Sequence, residues 1–259
     1  MSVAKGRAAV VTGAAQGLGR AVALRLLEAG ASVVGADIQG KKLAALDAGL
    51  AAQERFRIIE ADVSTPRGAA AAIEAAISSF GRLDILVNTA GGSGYVAPPE
   101  IEDITDEVWR SVVESNLGAT FLCSRAAVPH MRHARYGRIV NFSSSLARGS
   151  TGKLGTVGCR LAYCAAKGGI EAFSRQLAID LAPVGITVNV IVPALIMTEP
   201  GARVHDRFQT LPEADKKAML GGRSFAEMPG PSDIAEAAAF LVSEEASHIT
   251  GAIFDVGNR

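Results

Sequence analysis

The sequence predicts a doubly wound α/β fold, a parallel sheet of about seven strands with helices on both faces. Three observations lead there. Short β-branched runs alternate with longer Ala/Leu-rich segments along the chain. These runs are nearly all apolar and do not alternate, as strands covered on both faces require. The first run leads straight into a glycine-rich turn that opens a helix.

In chain order, strands are read at Ala8–Val11, Ser32–Ala36, Arg57–Glu60, Ile85–Asn88, Arg138–Phe142, Thr187–Val192 and Ala252–Val256. Leu18, Val22 and Leu26 recur every four residues and give the first helix a buried stripe. Thr65-Pro66 starts another helix, with a capping hydroxyl before a first-turn proline, and Gly81 ends it. A long segment from Thr105 to about Arg132 is broken only by Gly118 and Pro129. Ser232, behind the Pro229-Gly230-Pro231 cluster, is expected to cap the last helix, Asp233–Ser243. Residues 199–228 mix prolines, glycines and charges without a long period. They follow the carboxyl end of a strand, where open α/β sheets bind ligands, so a mobile substrate lid is expected. No repeat or linker divides the chain, and residues 1–259 read as a single domain.

Hydrophobic residues make up 49% and charged residues 20% of the 259, the balance of a soluble globular protein. The 26 basic and 26 acidic residues cancel, and no basic run points to nucleic acid or a membrane surface. A small-molecule partner is therefore expected. No apolar stretch approaches the roughly twenty residues of a membrane span, and the opening segment lacks the form of a signal peptide. Cys123, Cys159 and Cys164 imply no disulfide framework, so reduced thiols and a cytoplasmic location are expected. A Cys159–Cys164 redox pair is the weaker reading.

The first strand ends in Thr12-Gly13-Ala14-Ala15-Gln16-Gly17-Leu18-Gly19. Glycines allow a tight turn and close backbone approach, and a helix N-terminus offers free N–H groups to a pyrophosphate. The second strand ends at Asp37, eighteen residues past Gly19. A carboxylate there accepts hydrogen bonds from ribose hydroxyls and repels a 2′-phosphate. No arginine or lysine stands at position 16 or directly after Asp37, so NAD is expected over NADP.

Tyr163 and Lys167 are four apart in a helical segment and share one face. A phenol, with a pKa of about 10, is a poor base at neutral pH, and a nearby ammonium lowers that value. The pair suits proton transfer at an alcohol oxygen. The strand before it ends in Ser143-Ser144-Ser145, and Ser144 is placed to hydrogen-bond a substrate carbonyl. Ser143 and Ser145 remain alternatives.

With these motifs the chain resembles the short-chain dehydrogenase/reductase family in its NAD-dependent form, almost end to end. Thr12 to Gly19 is similar to the family's TGxxxGxG turn, and Asp62-Val63 to its adenine-contacting pair. Asn88-Thr89-Ala90-Gly91 stands where the family has NNAG. Pro193 to Thr198, including Ile196, resembles the stretch that holds the nicotinamide carboxamide. Ile249-Thr250-Gly251 resembles the entry to the last strand. The resemblance implies a cofactor site made by these residues with Leu18 and Ile38, in a Rossmann-type fold. It also implies catalysis by Ser144 as carbonyl polariser and Tyr163 as acid/base. Lys167 would lower the tyrosine pKa and hold the nicotinamide ribose, and Asn116 would hold a proton-relay water. A homotetramer is implied as well.

The chain departs from the pattern at Thr89, at Ala194 in place of a usual glycine, and in its Asp255-Val256-Gly257-Asn258 ending. Ser144 and Tyr163 are nineteen residues apart, farther than is usual. The extra stretch, Arg148 to Arg160, carries Lys153 and Arg160, which would favour an anionic group on the substrate. Arg203 and His205, within the expected lid, are weaker candidates for substrate contact. His130 and His133 lack a third ligand, so no metal is expected, and Trp109 reads as core or subunit contact. The activity implied is interconversion of a secondary alcohol and a ketone. A cis-dihydrodiol dehydrogenase, a sugar or polyol dehydrogenase and a 3-oxoacyl reductase stay open within it. A non-catalytic NAD-binding sensor is the rival from another class.

Overall fold

The computed structural model describes residues 4–49, 53–93, 100–149, 157–220 and 228–257. Seven parallel strands run β1 (Ala8–Thr12), β2 (Ser32–Asp37), β3 (Phe56–Glu60), β4 (Ile85–Asn88), β5 (Gly137–Phe142), β6 (Ile186–Pro193) and β7 (Ile253–Val256). The helices are α1 (Gly17–Glu28), α2 (Gly40–Ala48), α3 (Pro66–Phe80), α4 (Asp106–Val113), α5 (Ala119–Ala134), α6 (Val157–Leu181), α7 (Arg203–Gln209), α8 (Glu213–Leu220) and α9 (Pro231–Leu241).

The sheet order is β3-β2-β1-β4-β5-β6-β7, the doubly wound arrangement expected. One face packs on α1, α2 and α9 through Val22, Leu26, Leu43 and Ile234. The other packs on α3, α5 and α6 through Ile73, Cys123, Met131 and Leu181. Strands β1, β4, β5 and β6 are buried along their whole length, as apolar runs covered on both faces should be. The same expectation fails at β3 and β7, which are edge strands with exposed or half-exposed residues.

The order in which the parallel strands are added changes sense between β1 and β4, whose last residues, Thr12 and Asn88, are register partners. That switch opens a crevice beyond the carboxyl ends of the strands, where the glycine turn, Asp37 and Ser144 are found.

Thr65 caps α3 by accepting from Gly68 N–H at 3.0 Å, and Gly81 ends it in the left-handed region. Ser232 does not cap the last helix. Gly230 is the N-cap, Pro231 takes the first helical position, and the Asp233 carboxylate accepts from Gly230 N–H at 2.8 Å. Nor does Gly118 break the long helical segment: α4 and α5 are joined by a π-helical turn, Glu114–Gly118. Pro129 stays inside α5.

Candidate active site

A cavity of about 730 Å³ fills the crevice. Its walls include Gly13, Gln16, Gly17, Leu18, Gly19, Asp37, Ile38, Asp62, Val63, Ala90, Gly91, Ser144, Tyr163, Lys167, Pro193, Ile196 and Thr198. Two expected site residues are off that wall. Asn88 is buried between strands and donates to Asn141 Oδ1 at 2.8 Å, so it ties β4 to β5. Asn116 is fully buried in the π turn. Its side-chain amide donates to Gly92 O and Val112 O at 2.9 and 2.8 Å, and its oxygen accepts from Gly92 N–H at 3.1 Å. That side chain braces the Gly91-Gly92 backbone.

The glycine turn fits a dinucleotide. Gly13 and Gly17 adopt φ of 68° and 58°, in the left-handed region where glycine carries no steric cost. A Cβ on Gly19 would lie 2.1 Å from the Gly13 carbonyl oxygen. Gln16, the N-cap of α1, makes no side-chain capping bond, so the helix start presents its N–H groups to the cavity side. Thr12 locks the floor of this turn: its hydroxyl accepts from Thr89 N–H and Ala90 N–H at 3.2 and 3.1 Å. The Thr89 hydroxyl donates back to the Thr12 carbonyl, which accounts for threonine at that position. Ala194 needs no glycine, since its φ is not positive. Its N–H donates to Val256 O at 3.0 Å and extends the β6–β7 pairing.

Asp37, 8% exposed, is oriented by Ala15 N–H at 3.0 Å and Gln39 N–H at 2.9 Å. The nearest bases in sequence are not at position 16 or after Asp37, yet the fold brings one close. Lys42 Nζ donates to Gln16 Oε1 at 2.7 Å and to Gly201 O at 2.9 Å.

On the other side of the crevice the catalytic candidates converge. Tyr163 and Lys167 share one face of α6 near the end of β5, and the Ser144 hydroxyl acts on Tyr163 in the sense that favours its phenolate. Ser143 and Ser145 also line the cavity, but the Ser143 hydroxyl is directed away to Glu171 Oε1 at 2.8 Å, with Lys167 O at 3.2 Å. Lys167, 4% exposed, donates to Phe142 O at 2.8 Å and lies 5.5 Å from the centre of the Tyr163 ring.

Electrostatics differ from the sequence expectation. Tyr163 keeps some surface open to the cavity, but the enclosing walls desolvate its hydroxyl and push its pKa up. The Ser144 hydroxyl and the positive charge of Arg203 pull in the opposite direction. Lys167 is itself buried, and desolvation first, then the like charge of Arg203, bring its pKa down to about 7.

Sequence reasoning underweighted Arg203 and missed Arg207 and Glu199. Arg203 and Arg207 line the cavity from α7, and Glu199 accepts from Gly17 N–H at 2.8 Å. His205 instead packs beside Asp206, 3.1 Å away. Arg160 lines the cavity, while Lys153 and residues 221–227 of the expected lid lie outside the described residues. Cys164 is a free thiol, and the side chain of Cys159 is outside the described set. His130 lies 3.8 Å from Glu74, and no cluster of three metal-ligating side chains occurs among the described residues. Trp109 is exposed, not core. No helix among the described residues is long and apolar enough to cross a membrane.

Comparison with known proteins gives the family. The family model described as Enoyl-(Acyl carrier protein) reductase matches residues 13–258. The chain is 36% identical to the short-chain reductase protein NovJ of Streptomyces niveus, over 97% of this chain and 92% of that protein. It is 34% identical to the 3-oxoacyl-(acyl-carrier-protein) reductase FabG of Haemophilus influenzae, over 97% of each. A 7α-hydroxysteroid dehydrogenase solved with NADH and 7-oxo glycochenodeoxycholic acid superposes with a TM-score of 0.85 at 28% identity, covering 99% of this chain and 94% of that one. The chain belongs to the short-chain dehydrogenase/reductase family, and is an oxidoreductase of secondary alcohols and ketones that works with a nicotinamide dinucleotide.

Proposed function

We propose that the chain is an NAD-dependent dehydrogenase or reductase in which Tyr163 moves the proton and Ser144 positions the substrate oxygen. The observation that carries this is the meeting of Ser144, Tyr163 and buried Lys167 on the wall of one cavity, across from the glycine turn. The bound nicotinamide supplies the hydride chemistry at carbon. The chain's residues do the rest. In the reducing direction the Ser144 hydroxyl donates to the ketone oxygen and polarises it, and the Tyr163 phenol delivers a proton to that oxygen as it becomes an alkoxide. In the oxidising direction the same phenol oxygen takes the alcohol proton. Lys167, buried beside it with a pKa near neutrality, exchanges a proton at Nζ and contacts the nicotinamide ribose. Asn116 acts as a positioning residue for Gly91-Gly92.

Gly13, Gln16, Gly17, Leu18 and Gly19 cradle the pyrophosphate. Asp62 and Val63 face the adenine, and Pro193, Ile196 and Thr198 the carboxamide. Asp37 supports NAD as the partner, through its carboxylate at the ribose position. Lys42, held at Gln16, favours a second reading in which a 2′-phosphate is accepted. Comparing kcat/KM with NAD and NADP across a panel of alcohols and ketones, read by NADH or NADPH absorbance, decides between them. Tight cofactor binding with silence over a broad panel would mark the sensor instead.

Residues 199–228 serve in this reading as the lid, with α7 on the cavity. Exposed Phe121, Leu161 and Ile179 on α5 and α6 support subunit contacts, in line with a homotetramer. Reduced cysteines fit a cytoplasmic enzyme. Similarity to FabG keeps a 3-oxoacyl substrate open, while NAD use leans toward oxidation of a diol or polyol.

A further inference from the structure

Three arginines stand at the catalytic end of the cavity. Arg160 precedes Tyr163 by three residues on α6 and shares its face. Arg203 and Arg207 are four apart on α7, and Val204, Phe208 and Leu211 line the same wall. The surface that α7 turns to the cavity is therefore apolar, with two guanidinium groups set into it.

Their partners leave the charge uncompensated. Arg203 Nη2 donates to the Gly91 carbonyl, and a Cβ on Gly92 would meet the same guanidinium at 2.4 Å. Arg207 Nη1 donates to Ser93 Oγ at 3.1 Å. Both acceptors are neutral, and each guanidinium has further N–H donors. Among the described residues neither arginine pairs with a carboxylate, whereas Arg7, Arg25, Arg82 and Arg148 all do. Cavity carboxylates Asp37 and Asp62 lie across β1, where backbone N–H groups and Ser64 already engage them. Asp215, on α8, is the acid on the lid side. The field of Arg203 is felt at both Tyr163 and Lys167, so it belongs to the reacting end and not to the adenosine end.

We propose that the substrate is an apolar hydroxy or keto acid whose carboxylate is held by Arg203 and Arg207, with Arg160 at its flank, while the reacting carbon lies against Ser144 and Tyr163. This rests on the alcohol/ketone reading of the site. A planar guanidinium fork matches two carboxylate oxygens, and such charge-assisted bonds are stronger than neutral ones. The apolar residues of α7 cover the body of the same molecule.

The test uses hydroxy acids with aliphatic or aryl bodies, each compared with its methyl ester and with a matching phosphate monoester of a hydroxyketone. The wild-type chain is expected to favour acid over ester by about tenfold or more in kcat/KM. Arg203→Gln and Arg207→Gln should bring that ratio toward one, chiefly through KM, and Arg207→Lys should restore part of it. The ratio cancels any effect that acid and ester share, such as a shift at Tyr163 or partial loss of fold. Preference for the phosphate monoester over the acid would overturn the carboxylate. Equal use of acid and ester by the wild type would overturn the anion site. Loss of NADH affinity in Arg203→Gln with the acid/ester ratio kept would assign that arginine to the cofactor and overturn the inference. Turnover of esters alone removes only this inference, whereas turnover of none, with NADH bound, removes the oxidoreductase reading beneath it as well.

Discussion

The Glu199 carboxylate accepts a hydrogen bond from Gly17 N–H at 2.8 Å, at the uncapped start of α1. A helix N-terminus attracts negative charge, and here a side chain from 182 residues away supplies it. Lys42 fixes the same segment through Gly201 O. A pyrophosphate seated on this turn must displace the carboxylate or be repelled by it.

Glu199→Gln is therefore expected to tighten cofactor binding by about two- to fivefold, the scale of one anion at a helix terminus. NADH fluorescence titration measures it directly. Unchanged or weaker binding would show that Glu199 does not compete with the cofactor.

Arg203→Gln should move two titrations in the same direction. A like charge disfavours the ammonium of Lys167, so removing it raises that pKa from about 7. A positive charge favours the phenolate of Tyr163, so removing it raises the tyrosine further above its ordinary value. The rising limb of the pH–rate profile for alcohol oxidation, where Tyr163 loses its proton, should shift upward, and the Lys167 signal in ¹³C-methylated protein should titrate at higher pH. A downward shift of either would contradict this electrostatic picture.

Gly19→Ala places a Cβ 2.1 Å from a backbone oxygen that cannot swing away. The turn must open, at an expected stability cost of about 1–3 kcal/mol, the range of overpacked interiors. Urea denaturation gives that cost, and NADH titration should show binding largely lost. A variant of native stability and affinity would mean that the turn is not closely packed.

How much was legible beforehand differed by element. The seven strands announced themselves as β-branched runs, each within a residue or so of its observed bounds, because buried parallel strands need continuous apolar character. Exposure at β3 and β7 was not legible, since edge position depends on strand order and not on the run itself. The π turn at Asn116 was hidden because π geometry has no distinct composition, and it absorbed Gly118, which had looked like a break. Tyr163, Lys167 and Ser144 stood out through local spacing. Arg203 and Glu199 did not, because their partners, Gly91 and Gly17, lie 112 and 182 residues away.

Asp37→Ala tests the cofactor preference. Its carboxylate is oriented by two backbone N–H groups, and a charged hydrogen bond to a ribose diol corresponds to roughly 10- to 100-fold in affinity. The NAD/NADP ratio of kcat/KM should fall by about that factor, with Lys42 then able to favour NADP. An unchanged ratio would move the preference to other residues.

Proton transfer by Tyr163 is tested most directly by Tyr163→Phe, which removes the cavity-lining hydroxyl and keeps the ring. Steady-state turnover of an alcohol the wild type oxidises should fall on the order of 10²- to 10⁴-fold, while NADH affinity measured by fluorescence changes by less than about threefold. Turnover within tenfold of wild type, on protein that still binds NADH, would place the acid/base elsewhere.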